Sequence, residues 1–172
     1  MEFRFCPKCR SRLTLKLKAN GKIENQPCSK CNFIYYPNPK ACVGAVIVEK
    51  DKVLLIQRAN EPFKDHWDFP GGFLENGERT EEGLEREIGE ELRVGVKISH
   101  VLGIYKDTYG PGGEETLNIY YLCEIRQGQI TPQTEIADVK WFDVNKLPSN
   151  LAFGHVRNVL MDWHDKYYSI SN

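Results

Sequence analysis

The sequence predicts an α/β fold: a layered domain with a mixed sheet over residues 40–172, preceded by a small separate module over residues 1–39. Three observations carry this. From Ala41 onward, runs rich in β-branched and aliphatic residues are interspersed with two stretches of helical spacing. Four of the six cysteines fall within the first 31 residues. Charge divides at the same place. Residues 1–40 hold nine Lys or Arg against two acids and residues 41–172 fourteen against twenty-two, so the formal net charge of −1 cancels two unlike parts. With 41% hydrophobic and 27% charged residues in 172, the chain can bury a core and is not mainly disordered. No apolar stretch approaches the roughly 20 residues of a membrane span, and MEFRFCPKCR lacks the apolar run of a signal peptide. A cytoplasmic, reducing location is the expectation.

The first module is read from its cysteines. Cys6 and Cys9 form one CxxC pair, Cys28 and Cys31 a second, with eighteen residues between them. That spacing suits a four-thiolate zinc site, and about 40 residues bury too little apolar area to fold without such a staple. The intervening LTLKLKANGKIE alternates apolar and basic residues around Asn20-Gly21, which reads as a hairpin, so the module is expected to be a zinc ribbon. Two disulfides or a redox CxxC pair are the competing readings. The basic excess and the aromatics Phe3, Phe5, Phe33, Tyr35 and Tyr36 suit nucleic acid, while structural, docking or homodimer-forming use suits a ribbon equally. Tyr36-Pro37-Asn38-Pro39 breaks regular structure and sets the boundary near residue 40.

In the larger domain CVGAVIVEK, a turn at Asp51-Lys52 and KVLLIQR read as a hairpin. Further strands are expected at HVLGIYKDTY, TLNIYYLCEI and VKWFDV, and helices at Glu78–Leu92 and from about Phe153 to Tyr167. Cys42 and Cys123 sit in apolar runs and read as buried thiols.

The first helix carries chemistry. Leu84, Ile88 and Leu92 form its apolar stripe, while Glu87, Glu90 and Glu91 share an adjoining arc. A solvated helix face tends to interleave Lys at i+4, yet the i+4 partner of Glu87 is Glu91, so a positive charge is expected there. Oxygen-only ligands select hard cations, magnesium or manganese. Before the helix, Gly71-Gly72 allows close backbone approach to a metal or phosphate, and Asn76-Gly77 makes a turn. A bidentate contact between Glu78 and Arg86 would pin this loop to the helix. An acidic surface helix is the bland alternative.

The stretch Gly72-x5-Glu78-x7-Arg86-Glu87-Ile88-x-Glu90-Glu91 resembles the Nudix box, and the preceding WDFPGG resembles the usual entry to it. The resemblance covers roughly residues 41–165. One departure occurs where the pattern places Gly and this chain has Arg93. The resemblance implies a Nudix-type α/β/α sandwich and hydrolysis of a nucleoside diphosphate linked to another moiety, with divalent metals held by the box glutamates. It implies Glu87 and Glu91 as ligands, Glu90 as ligand or base, and the Gly71 carbonyl as a further ligand. Seven glutamates against three arginines on Glu78–Arg93 would repel a pyrophosphate unless cations bridge them. One more acid is expected from a later loop: Glu135, placed like the additional metal-binding Glu of zinc-ribbon NADH pyrophosphatases, or Glu114-Glu115.

Arg58 reads as a phosphate contact or as a surface ion pair. Phe63, Trp67, Tyr109 and Phe153 are candidates to stack on a base, or core residues. Of these, Arg58, Trp67 and Phe153, with Gly72, make up the expected substrate site. His66, His100, His155 and His164 show no ligand spacing and receive no catalytic role. A ribbon before a Nudix domain is similar to NADH pyrophosphatase architecture, but that subfamily's SQPWPFP array is absent. An ADP-ribose-like substrate therefore leads, NADH follows, and a nucleoside triphosphate is third. The alternatives are a nucleotide-sensing or nucleic-acid-binding regulator and a hydrolase of cap-like RNA ends.

Overall fold

A computed structural model describes residues 4–14, 16–17, 19, 23–24, 27–36, 38–143 and 145–165. The chain forms two compact units, residues 1–39 and 40–172. In the first, the two CxxC segments fold alike. The Cys6 and Cys28 carbonyls accept the N–H groups of Arg10 and Asn32, both at 2.8 Å, and Arg10 and Asn32 both take left-handed conformations, φ +62° and +58°. Bridges pair Phe5 with Arg12 and Pro27 with Ile34, and β1 (Lys16–Leu17) pairs antiparallel with β2 (Ile23–Glu24). The Asn20-Gly21 turn lies outside the described residues.

The second unit is built on β3 (Lys40–Glu49) and β4 (Lys52–Arg58). The loop between them is Lys50-Asp51 rather than Asp51-Lys52. Lys52 pairs directly with Glu49, opposite charges closing a two-residue turn in which Lys50 takes φ +57°. Two short strands that the sequence reading treats as loop follow, β5 (Trp67–Asp68) and β6 (Gly71–Phe73). Strands of two and three residues are too short to show a hydrophobic period. Then come α1 (Thr80–Leu92), β7 (Gly95–Thr108), β8 (Glu115–Gln127), β9 (Ile136–Asp143) and α2 (Gly154–Trp163). Residues 166 and 167, where the second helix was expected to continue, lie outside the described residues.

The sheet order is β5-β4-β3-β8-β7, with β6 also on β3 and β9 on β4. The β3–β8 pair is parallel and the others antiparallel, so the sheet is mixed. Alternation along β3 separates two cores. Val43, Ala45 and Ile47 face Leu84, Ile88 and Leu92 of α1, while Val46 faces Val156, Val159, Leu160 and Trp163 of α2. One helix thus covers each face, the α/β/α sandwich expected. The three α1 side chains are fully buried, each worth about 1.5–3 kcal/mol. Among the described residues no helix is long and apolar enough to cross a membrane.

Candidate active site

The sheet pairing puts side-chain-poor backbone beside the acidic helix. Gly71 lies opposite Gly44 and Gly72 opposite Val43. Gly71 has φ +144°, and a Cβ there would lie 2.1 Å from the Val43 carbonyl, so only glycine fits. A Cβ on Gly72 would lie 2.5–2.6 Å from the Glu87 carboxylate. The glycine pair is therefore a cradle for α1 carboxylates. Gly71 donates its N–H to Glu91 Oε2 at 2.8 Å, fixing that side chain.

The Glu78–Arg86 contact is bidentate, at 2.6 Å from Nε and 3.1 Å from Nη2. Arg86 also donates to the Phe73 carbonyl (3.0 Å), Glu87 (2.8 Å) and Glu90 (3.2 Å), and Glu78 accepts the Glu75 N–H (2.8 Å). One guanidinium thus ties the loop to the helix and partly offsets the acids.

These groups border a cavity of about 520 Å3, lined by Gly71, Gly72, Arg86, Glu87, Glu91 and Glu135 at one end. Glu90 is different: it is exposed and outside the lining. At about 100° per residue, Glu91, Glu87 and Glu90 lie roughly 60°, 100° and 160° from the centre of the apolar stripe, so Glu90 points away from the core. Of the later acids, Glu135 lines the cavity, while Glu114 pairs with Lys40 and Glu115 with Lys106 outside it.

Asp68, which the sequence reading omits, joins the acidic end. It is 7% exposed, and burial pushes its carboxyl up to about 7. Burial likewise raises Glu87 and brings Glu91 to about 8, reinforced by the neighbouring acid charges, Glu135 among them. Acids that resist ionisation together on oxygen-only donors fit a hard divalent cation. In this structure their ligand atoms are not drawn into one tight cluster. Among the described residues, ligand atoms of three or more His, Cys, Asp or Glu fall within 4.8 Å of one another only at Cys6, Cys9, Cys28 and Cys31.

The rest of the lining is aromatic and polar. Arg58 donates to the Pro62 carbonyl (2.8 Å) and Tyr109 hydroxyl (3.3 Å), lies 3.6 Å from Asp68, and covers the rings of Tyr109 and Phe153. Its ion pair is therefore in the cavity wall rather than on the open surface. Tyr109 and Phe153 line the cavity; Phe63 and Trp67 do not. Trp67 packs against Phe142 in the α2-side core, a correction that follows from strand alternation: its neighbour Asp68 takes the cavity side. Phe63 packs edge-on to Phe153.

Cys42, expected to be buried, is partly exposed in the cavity wall, its thiol pushed up to about 12 by burial; Cys123 is fully buried. His155 also lines the cavity, between Asp107 (2.7 Å) and the Tyr120 hydroxyl (2.8 Å), and so has a partner at each ring nitrogen. Thr116, Asn118 and Tyr120 complete that wall. Polar residues at period two in the otherwise apolar β8 were a readable signal of this row.

In the first unit, Cys6–Cys31 and Cys9–Cys28 sulfurs lie 3.6 Å apart, close to the edge of a tetrahedron with metal–sulfur bonds of about 2.3 Å. Ser11 Oγ lies 3.0 Å from both Cys9 and Cys28, and its hydroxyl is the main cause that lowers Cys28 to about 6. The cluster can hold a metal ion.

The chain is 35% identical over 120 residues to the ADP-ribose pyrophosphatase of Methanocaldococcus jannaschii, covering 70% of each. It is 27% identical over 160 residues to the NAD-capped RNA hydrolase NudC of Vibrio parahaemolyticus, covering 92% of this chain and 58% of that protein. The chain thus spans little more than half the length of that relative. The crystal structure of a NUDIX hydrolase from Nitrosomonas europaea superposes with a TM-score of 0.80 at 27% identity, covering 97% of this chain and 93% of that one. The family model for the NUDIX domain matches residues 38–163, from the first strand of the sandwich to the end of α2, and the chain belongs to that family.

Proposed function

We propose that the chain is a divalent-cation-dependent pyrophosphohydrolase of nucleoside diphosphates linked to another moiety, ADP-ribose-like substrates first and NADH-like ones second. The observation that carries this reading is the cavity lining. Glu87, Glu91 and Glu135 gather beside the Gly71-Gly72 cradle, Arg58 stands 3.6 Å from Asp68, and Tyr109 and Phe153 continue the lining. The likeness to an ADP-ribose pyrophosphatase supports the order of substrates.

In this reading Glu87, Glu91 and Glu135, with the Gly71 carbonyl, hold magnesium or manganese. When bound, that cation neutralises the pyrophosphate and lowers the pKa of a water. The Gly71 N–H holds Glu91 in place, and Arg86, braced by Glu78, holds Glu87 against Gly72. Glu135, exposed and among the lining residues, serves in this reading as a ligand or as the base that takes the proton of the attacking water. Glu90 acts through its contact with Arg86 rather than on substrate. Arg58 offers a cation to a phosphate between the two ends. Cys6, Cys9, Cys28 and Cys31 hold a structural zinc, so Cys28→Ser should lower zinc content and destabilise residues 1–39, with unchanged stoichiometry counting against the site.

The deciding experiment is turnover of ADP-ribose, NADH and dinucleoside polyphosphates with magnesium. Hydrolysis of ADP-ribose to two monophosphates is expected, and no turnover of any by pure protein would overturn the reading in favour of a nucleotide-sensing regulator. A second reading, hydrolysis of capped RNA ends, is favoured by exposed Phe5 standing opposite exposed Arg12 in the basic unit and by the likeness to NudC. It requires RNA affinity that falls with salt and is lost on deleting residues 1–39.

A further inference from the structure

Among the described residues, four polar or charged side chains are buried, Asp68, Thr116, Asn118 and His155, and all four line the cavity described above. Asp68 belongs to the acidic end. The other three, with Tyr120, form a wall whose hydrogen-bonding character follows from the network behind it. Thr116, Asn118 and Tyr120 occupy alternate positions of β8 and so share a face.

The Asn118 amide nitrogen donates to the Tyr105 carbonyl at 3.2 Å and to Thr116 Oγ1 at 3.0 Å. A backbone carbonyl can only accept, so the amide has one orientation and both of its hydrogens are spent. What Asn118 has left to offer a ligand is Oδ1, an acceptor. Asp107 accepts from both the His155 backbone N–H (3.0 Å) and Nδ1 (2.7 Å). That fixes the proton on Nδ1 and leaves Nε2 to accept the Tyr120 hydroxyl at 2.8 Å. Tyr120, having given its proton away, also presents lone pairs. The wall is therefore rich in acceptors and calls for a ligand that donates.

Beside it stands an aromatic stack. The Tyr109 and Phe153 rings lie on one another, centroids 5.8 Å apart and planes 25° apart, and Arg58 lies 5.8 and 5.4 Å from their centroids. Both rings line the cavity, and such a stack can be extended by a further heteroaromatic ring.

Resting on the hydrolase reading above, we propose that this end of the cavity selects a nucleobase bearing an exocyclic amine, stacked on the Tyr109–Phe153–Arg58 surface with its amino hydrogens given to Asn118 Oδ1. An oxo group in the same place would set lone pair against lone pair and leave a buried acceptor unsatisfied, a loss of about 10- to 100-fold. Asn118 is then the specificity-determining residue for amino- over oxo-purines.

The test compares ADP-ribose with its hypoxanthine counterpart, IDP-ribose, in wild-type chain and in Asn118→Ser, with thermal melts confirming that the variant folds. Dissociation constants of AMP and IMP, which need no turnover, are measured beside them. Wild type should prefer the amino substrate about 10- to 100-fold in kcat/KM, mainly through KM, and AMP over IMP similarly. Asn118→Ser should reduce both ratios to less than about threefold. Equal use of the two bases by wild type, a ratio retained in the variant, or an equal loss for both bases would overturn the proposal. If neither sugar conjugate is hydrolysed yet the AMP preference is present and lost in the variant, the base assignment stands and the hydrolase reading fails.

Discussion

The two ends of the cavity solve opposite electrostatic problems. At one, burial raises Asp68, Glu87 and Glu91, Glu91 to about 8, neighbouring acid charges add to the shift, and the nearby guanidiniums of Arg58 and Arg86 only partly offset it. At the other, Asp107, His155 and Tyr120 satisfy each other in sequence, and Asn118 is tied to its own strand pair. The acidic end is incomplete as protein alone and gains from a divalent cation. The polar end is complete as protein and gains only from a donor. A cavity with this division can hold an anion through a cation at one side and read its neutral part at the other.

Removing a charge from the incomplete end should have the largest effect. Glu91→Gln keeps the shape and loses a proposed ligand, so kcat should fall at least about 1000-fold, about 4 kcal/mol of barrier, with the fold retained. Magnesium should stabilise wild type by about 2–3 kcal/mol near 100 times its dissociation constant and stabilise the variant far less. Near-normal turnover, or an equal magnesium effect in both, would break the contrast between the ends. Arg86→Lys comes next. It replaces a fork that binds Glu78 at two points with a point charge, and a loss of about 10- to 100-fold in kcat with little change in KM is expected from misplacement of Glu87. A change confined to KM would assign Arg86 to substrate instead.

The two ends were unequally legible in the sequence. Glu78, Arg86, Glu87 and Glu91 lie within fourteen consecutive residues on one loop and one helix, so spacing alone brings them together. The thiolate cluster is legible for the same reason, each CxxC being one local turn. The polar end draws Asp107 from β7, Asn118 from β8 and His155 from α2, residues that meet only through strand order and helix docking. Nothing in the spacing of four histidines marks His155. Trp67 and Asp68 show the remaining limit. Adjacent strand residues point to opposite faces, so a local reading favours the aromatic as the ligand contact and passes over the acid beside it.

Acidity separates the ends next. Burial holds His155 below its ordinary value despite the Asp107 carboxylate, and hydrogen bonds from His155 and Thr108 hold Asp107 low against the effect of its partial burial. Groups depressed in the folded state lend stability that is full above their unfolded values, near 6.5 and 3.8, and is lost as pH falls through the folded ones. Asp68 and Glu91, raised, do the reverse: their contribution is lost as pH rises through about 7 and 8. The wild-type profile alone mixes the two, and a difference isolates one. The stability advantage of wild type over His155→Gln in urea unfolding should be greatest near pH 7.5 and shrink toward pH 5, by at most about 1.4 kcal/mol per pH unit. Parallel profiles would mean that His155 is not held neutral.

The smallest expected effect concerns the end of the acidic helix. Arg93 closes α1 in a left-handed conformation, φ +58° and ψ +29°, its N–H bonded to the Gly89 carbonyl. An L-residue other than glycine pays about 1 kcal/mol there. Two terms oppose the relief that glycine would bring: greater freedom of the unfolded chain, and loss of a cation beside the negative end of the helix dipole. Arg93→Gly should therefore stabilise the protein by only about 0.5 kcal/mol. Arg93 lies two residues past Glu91 but is exposed and outside the cavity lining, so the gain should be the same with and without magnesium. A gain that appears only with magnesium would mean that the helix end and the carboxylates move together, and the acidic end would then be a flexible clamp that the cation completes rather than a fixed cradle.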